Sequence, residues 1–248
     1  MLKCSYKGIK GLDSHYKSRR KHFAKSSRKP ALWKYCYYEG HDDLCYDIEV
    51  ISRLCKLFPF QNVKLERLRL RLVEELLKDE ELNVKVILLV RDPRGVMQSR
   101  RHEKFCNRSS DCWDPAMLCT DMISDYVAAG RLLPQYPDRL MVIRFEELAL
   151  QPNITSDRFL NFLKVKRTQE FDEFLQSHTN IEVAGAYATS RLSRNVPYKW
   201  RTLLSFNNVN EIQTSCREAM RMWGYKMAHN ETHLKSKDFS PVEDYTIF

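Results

Sequence analysis

Several features are missing from this chain, and each absence removes a class of function. Nowhere in its 248 residues do 18 apolar residues follow one another, and the N-terminus has no apolar stretch of signal-peptide type. Neither a membrane span nor secretory entry is therefore encoded in it. The eight cysteines form no C-x-x-C pair of zinc spacing, which argues against a metal centre. Residues 1–35 contain K-G-I-K-G and S-S-R-K-P, but no apolar strand precedes either, so neither has the setting of a phosphate loop. Charge of one sign is scarce except at the start. Residues 1–34 carry eleven Lys or Arg against one Asp, while residues 35–248 carry thirty basic and thirty-one acidic groups, so the net +9 belongs to an N-terminal arm. Such an arm is either a solvated basic extension or a surface for nucleic acid, acidic glycans or anionic membrane. No aromatic-interleaved platform accompanies it, so no nucleic acid is expected as a partner.

What is present centres on Val84 to Arg100, V-K-V-I-L-L-V-R-D-P-R-G-V-M-Q-S-R. A short Val, Ile and Leu run predicts an interior strand of a parallel sheet. Arg91 and Asp92 open the turn that follows, and Pro93 suits the first position of a helix. The free amides and dipole of that helix, with Arg91, Arg94 and Ser99, are expected to hold an anion such as a phosphate. The competing reading is an Arg/Asp pair that caps an ordinary helix.

The order of a strand, then R-D-P-R-G, then Ser eight positions after the first Arg resembles the 3′-phosphate-binding motif of sulfotransferases. These use 3′-phosphoadenosine 5′-phosphosulfate (PAPS), and the resemblance is to the Golgi carbohydrate 6-O-sulfotransferases acting on Gal, GalNAc or GlcNAc. Further segments resemble that family in its order, from about Cys36 to Tyr225. They are the stretch holding Lys64, Arg67 and Arg69, the strand and helix start at Arg144 to Leu148, the late loop with Arg191, Ser193, Trp200 and Arg201, and C-R-E-A-M-R-M-W-G-Y-K.

By that resemblance Arg91 and Ser99 hold the 3′-phosphate, which suits a bidentate guanidinium and a hydroxyl donor. Arg94, Arg191, Ser193, Trp200 and Arg201 complete the expected cofactor-binding set. The implied reaction is an in-line transfer of a sulfuryl group from PAPS to a sugar 6-hydroxyl, with no metal required. The implied acceptor is a glycan or proteoglycan of chondroitin or keratan type. Full-length relatives are implied to be type II membrane proteins of the Golgi lumen, held by an N-terminal anchor. The family's R-T-G-S-S loop, which cradles the 5′-phosphosulfate, and its F-E-P segment have no counterpart here. The expectation is an N-terminally incomplete domain: a fragment, an incomplete gene product, or a relative that keeps only the 3′-phosphate half-site. The catalytic base is unknown on this reading.

The expected fold is α/β, a parallel sheet flanked by helices. The expected organisation is a basic arm over residues 1–34, a partial sulfotransferase-like domain over 35–226, and a polar surface tail over 227–248. Helices are predicted over Leu44–Leu57, Glu66–Lys78, Pro93–Glu103, Ala116–Leu133, Thr155–Leu163 with Ser156 and Asp157 as caps, Glu170–Ser177, and Asn208–Trp223, the last stopped by Gly224. Strands are predicted over Phe60–Val63, Val84–Val90 and Leu140–Phe145, with a loop over Phe105–Pro115. Lys64, Arg67 and Arg69 either neutralise a phosphosulfate or acidic substrate or form a solvent-facing helix start. Trp200 either stacks on adenine or packs in the core. Glu146 and Glu147 are expected to cap a helix, and His102 and His178 to have no catalytic part. The scattered cysteines and three N-x-S/T sequons, at Asn107, Asn153 and Asn230, suit a lumenal protein with a few disulfides; Cys106 with Cys112 is the expected local pair.

Overall fold

The computed structural model describes residues 47–66, 68–101, 103, 106, 110–183 and 188–247. The chain divides into two compact units, residues 1–66 and 67–248. In the first, helix α1 (Ile48–Lys56) starts where the Asp47 carboxylate accepts the amides of Glu49 and Val50 at 2.9 and 3.0 Å. The strand expected over Phe60–Val63 is irregular chain. Four residues form a strand only against a partner, and none pairs with them among the described residues.

In the second unit, two strands make a parallel pair, β1 (Val86–Val90) and β2 (Leu140–Arg144), with Val86 opposite Leu140 and Val90 opposite Arg144. The crossover between them carries α3 (Pro93–Arg100), the short α4 (Ser110–Trp113) and α5 (Pro115–Leu132), and α2 (Glu74–Lys78) precedes β1. Both long crossover helices begin alike: an Asp N-cap accepts an amide two residues on, Arg94 from Asp92 and Ala116 from Asp114, and Pro occupies the next position. The helix expected over Glu66–Lys78 is broken. Asp125 of α5 accepts the Leu70 amide at 2.8 Å and Arg69 pairs with Asp121, so α5 holds the chain extended at Arg69. Only a 3₁₀ turn (Leu70–Leu72) and then α2 follow.

After β2 come α6 (Phe145–Leu150), α7 (Pro152–Leu163), α8 (Gln169–Thr179), α9 (Trp200–Leu203), α10 (Phe206–Ser215), α11 (Arg217–Met222) and α12 (Glu231–Lys235). Helix α7 starts at Pro152, a turn earlier than Ser156 and Asp157 as caps would allow. The single helix expected over Asn208–Trp223 is two, parted at Cys216, which bonds Cys119 of α5 across 97 residues. Gly224 ends α11 with φ 68°, and a Cβ there would lie 2.7 Å from the Glu243 carbonyl.

One buried cluster joins Val90, Met97, Met122, Trp200, Val209, Met220 and Trp223 to Ala228, Leu234 and Phe239. The segment expected as a polar surface tail therefore contributes to the core. Its apolar residues are spaced for a folded loop, a pattern that shows no helical or strand period. Gln213 fastens it, donating to the Ala228 carbonyl at 2.6 Å and accepting the Ala228 amide at 3.1 Å. Among the described residues no helix is long and apolar enough to cross a membrane.

Candidate anion site at the head of the central strand

Strand β1 ends by delivering Arg91 and Asp92 to the start of α3, and β2 ends beside them by delivering Arg144, Phe145 and Glu146. The parallel register sets this juxtaposition, since Val90 lies opposite Arg144. The Asp92 carboxylate is wholly buried. It accepts the Arg94 amide and Nε, both at 2.9 Å, and Nη2 at 2.7 Å. Arg94 Nη1 donates to the Lys226 carbonyl at 2.8 Å, and the guanidinium lies 4.2 Å from the Trp200 ring centre.

Arg94 is thus a structural cation with every nitrogen engaged, which corrects its expected place among the anion ligands. The first amide of α3 is likewise taken by the wholly buried Asp92 carboxylate, where a free amide was expected. Each partner satisfies the other, so removing either one would leave an uncompensated buried charge.

Arg91 is different. Its guanidinium stacks 4.6 Å over the Phe145 ring, and its buried Nε has no acceptor. Burial lowers its pKa, with Glu146 and Asp92 opposing the fall. A second buried donor without an acceptor, Trp200 Nε1, is close by. A Cβ on Gly95 would meet Arg91 Nε at 3.2 Å and Trp200 Cδ1 at 3.3 Å, so Gly95 lies between the two side chains. Unmade hydrogen bonds on buried donors are costly, and two together mark a place for an acceptor-rich group. Ser99 is exposed one turn beyond Gly95 on the same face of α3.

The rest of the expected set divides. Trp200 is 1% exposed with Arg94 over its ring, so it is a core residue and does not offer a face to adenine. Arg201 donates to the carbonyls of Leu234, Ser236 and Phe239, at 3.0, 2.5 and 3.2 Å, and so staples the C-terminal segment. Arg191 lies 3.8 Å from Glu182, and Ser193 opens a 3₁₀ turn (Ser193–Asn195) that packs against α6 and α8. That turn brings the late loop next to the helix whose first residue stacks on Arg91. Arg144 reaches the Trp223, Gly224 and Glu243 carbonyls and Glu147, so it too is a staple. Lys64 pairs with Glu66 at 3.2 Å on the surface of the first unit. Arg67, His102 and Asn107 lie outside the described residues, and His178 stacks on Phe174 at 3.8 Å.

The residue that sequence reasoning missed is Glu146. Its role reaches beyond the start of its own helix: it is 1% exposed, Oε1 accepts the Asp92 amide at 3.0 Å, and Oε2 accepts the Tyr225 hydroxyl at 3.0 Å. Burial pushes its carboxyl up to about 7, and the nearby Asp92 carboxylate adds to the rise. Glu147 instead pairs with Arg144 and Arg158. The signal lay in the matched ends of the two strands, R-D after one and R-F-E-E after the other. The expected Cys106–Cys112 bond is present, with Cα atoms 5.1 Å apart, and Cys55 is also disulfide-bonded.

Fold and site together define an α/β domain with a buried arginine, one donor unpartnered, at the head of a parallel strand. The sulfotransferase domain family matches residues 54–224, and the chain belongs to that family. It is 31% identical over 188 residues to carbohydrate sulfotransferase 1 of Mus musculus, covering 68% of this chain and 45% of that protein. It is 27% identical over 203 residues to carbohydrate sulfotransferase 3 of Tetronarce californica, with 74% and 46% covered. Carbohydrate sulfotransferase 4 of Mus musculus is 26% identical over 205 residues, with 74% and 53% covered. The chain spans about half the length of these relatives. No solved structure matches it.

Proposed function

We propose that this chain is the 3′-phosphate-binding part of a carbohydrate sulfotransferase that takes its sulfuryl group from PAPS. The acceptor on this reading is the 6-hydroxyl of a Gal, GalNAc or GlcNAc residue in a glycan or proteoglycan. The observation that carries the reading is the buried Arg91 Nε, left without an acceptor beside Gly95. A phosphate supplies several acceptor oxygens, and Arg91 and the Ser99 hydroxyl are donors of the kind such oxygens take. Arg191 and Ser193, on the loop packed near α6, are the remaining candidates for nucleotide contact.

In such a transfer, charge builds on the phosphate oxygen that leaves the sulfuryl group, and fixed cations stabilise it. The role of these residues is to hold the 3′-phosphate and so orient the nucleotide. Localisation in the Golgi lumen is part of the proposal. The disulfides Cys106–Cys112 and Cys119–Cys216 and the exposed sequon at Asn153 support an oxidising secretory compartment.

The test is calorimetric titration with 3′-phosphoadenosine 5′-phosphate (PAP) of the wild type and an Arg91→Ala, Ser99→Ala double variant, followed by a sulfuryl-transfer assay on glycans. Binding by the wild type that the variant loses is expected; a folded wild type that ignores PAP would overturn the reading.

A further inference from the structure

Glu146 stands one residue beyond Phe145, the ring on which the Arg91 guanidinium rests, and it reaches back to the turn that presents Arg91. Its two oxygens serve two different elements, the Asp92 amide at the head of α3 and the Tyr225 hydroxyl just past α11, both at 3.0 Å. The Asp92 amide is the peptide group that joins Arg91 to Asp92. Whatever fixes that amide fixes the direction in which the Arg91 side chain leaves the backbone.

The Asp92 carboxylate cannot replace this hold, because Arg94 takes both its oxygens. No other acceptor for the Asp92 amide exists within the α3 cap, since an N-cap carboxylate serves amides further into the helix. Glu146 is therefore the tie from β2 to the turn after β1.

We propose that Glu146 is a positioning residue for anion binding at Arg91, fixing the Arg91–Asp92 peptide and changing its own charge in step with the anion. The proposal rests on the reading of Arg91 as a phosphate ligand. The ionisable groups that face Glu146 are Asp92 and Arg91 across the turn, Tyr225 beyond α11, Tyr198 before α9, and Tyr245 near the C-terminus. The positive charges of Arg94 and Arg144 nearby are each paired, with Asp92 and Glu147.

Glu146 and an incoming phosphate are then two negative groups near the same cation, Arg91. An ionised Glu146 sets a negative charge near Arg91 that opposes the phosphate, and a neutral one does not. Because the Glu146 carboxyl is raised to about 7, the switch falls near neutrality. The sign follows: below pH 7 Glu146 is neutral and the anion binds more tightly, and as pH rises through 7 it ionises and binding weakens.

The test compares PAP binding from pH 6 to 8 by the wild type, Glu146→Gln, Glu146→Ala and Tyr225→Phe. Gln keeps an acceptor for the Asp92 amide and carries no charge. It should bind like the wild type at pH 6 and about threefold to tenfold more tightly at pH 8, since a displacement of one pKa unit is worth a factor of ten. Titration of PAP itself cancels in this ratio. Ala should weaken binding at every pH, and Phe, which removes a donor to the carboxylate, should move the wild-type inflection to higher pH. Parallel profiles for wild type and Gln would overturn the proposal.

A ligand-free measurement keeps the two readings apart: the Asp92 amide resonance should titrate with an inflection near pH 7 in the wild type and lose it in Gln. If no form binds PAP, the phosphate reading of Arg91 fails. A flat Asp92 amide then removes the positioning role as well, while a titrating amide preserves the tie between Glu146 and the turn.

Discussion

Two arginines three residues apart have opposite fates. Arg94 points inward and makes all its hydrogen bonds to Asp92 and Lys226, whereas Arg91 rests on Phe145 with a donor unmet. Removing one member of a buried pair leaves the other as an uncompensated charge, at a cost of about 3–5 kcal/mol. Arg94→Ala is accordingly expected to lower the free energy of chemical unfolding by about that amount. Arg91→Ala, whose guanidinium has less to lose, should cost far less stability while removing PAP binding. Equal stability losses for the two variants would contradict the division of labour. The motif R-D-P-R-G was legible as a phosphate signal in the sequence, but which of its arginines faces a ligand was not. That choice depends on Trp200 and Lys226, more than a hundred residues away, which enclose Arg94.

Helices and strands were legible where a strong start signal met an apolar run. The Asp-Pro start of α3 and the Gly224 stop at α11 are local signals that fall where the chain predicts, whereas α5 starts at Pro115 and α4 forms at Ser110–Trp113, both inside the stretch expected as a loop. Misreadings came where a long-range contact outweighed local propensity. The Asp125 bond to the Leu70 amide breaks the helix expected over Glu66–Lys78, and the helix expected over Asn208–Trp223 is parted at the disulfide-bonded Cys216.

The Cys119–Cys216 bond closes a long loop between α5 and the α10–α11 junction, and bonds of that kind contribute about 2–4 kcal/mol, largely through the unfolded chain. A Cys119→Ala, Cys216→Ala variant should unfold at correspondingly lower denaturant. The Cys106–Cys112 bond closes only six residues and should matter less, since the constraint on the unfolded chain grows with loop length. A greater loss from the short bond would show that the unfolded-chain account is wrong here.

At the scale of the molecule, the surprise is the C-terminal segment. Leu234 is wholly buried, Phe239 and Ala228 nearly so, and Arg201, Gln213 and Arg144 bind its backbone from three directions. Removing residues 227–248 would open this core, take all three backbone acceptors from Arg201 and the Ala228 carbonyl from Gln213, and deprive Arg144 of the Glu243 carbonyl. The truncated chain is expected to lose cooperative thermal unfolding and near-ultraviolet circular dichroism. A truncation that melted like the whole chain would return the segment to the role of a surface tail.

By itself the sequence determined the local grammar: the apolar strand Val86–Val90, the Asp-Pro turn with Arg91, and the family that the order of its segments resembles. Those follow from residue types close together in the chain, where propensity and spacing act directly. Only the tertiary structure decided that Glu146 holds the Arg91 turn, that Arg94, Arg144 and Arg201 are staples, and that the tail is core. Each of those depends on which distant backbone carbonyl or amide a side chain meets, and the parallel register of β1 and β2 sets those meetings at the candidate site.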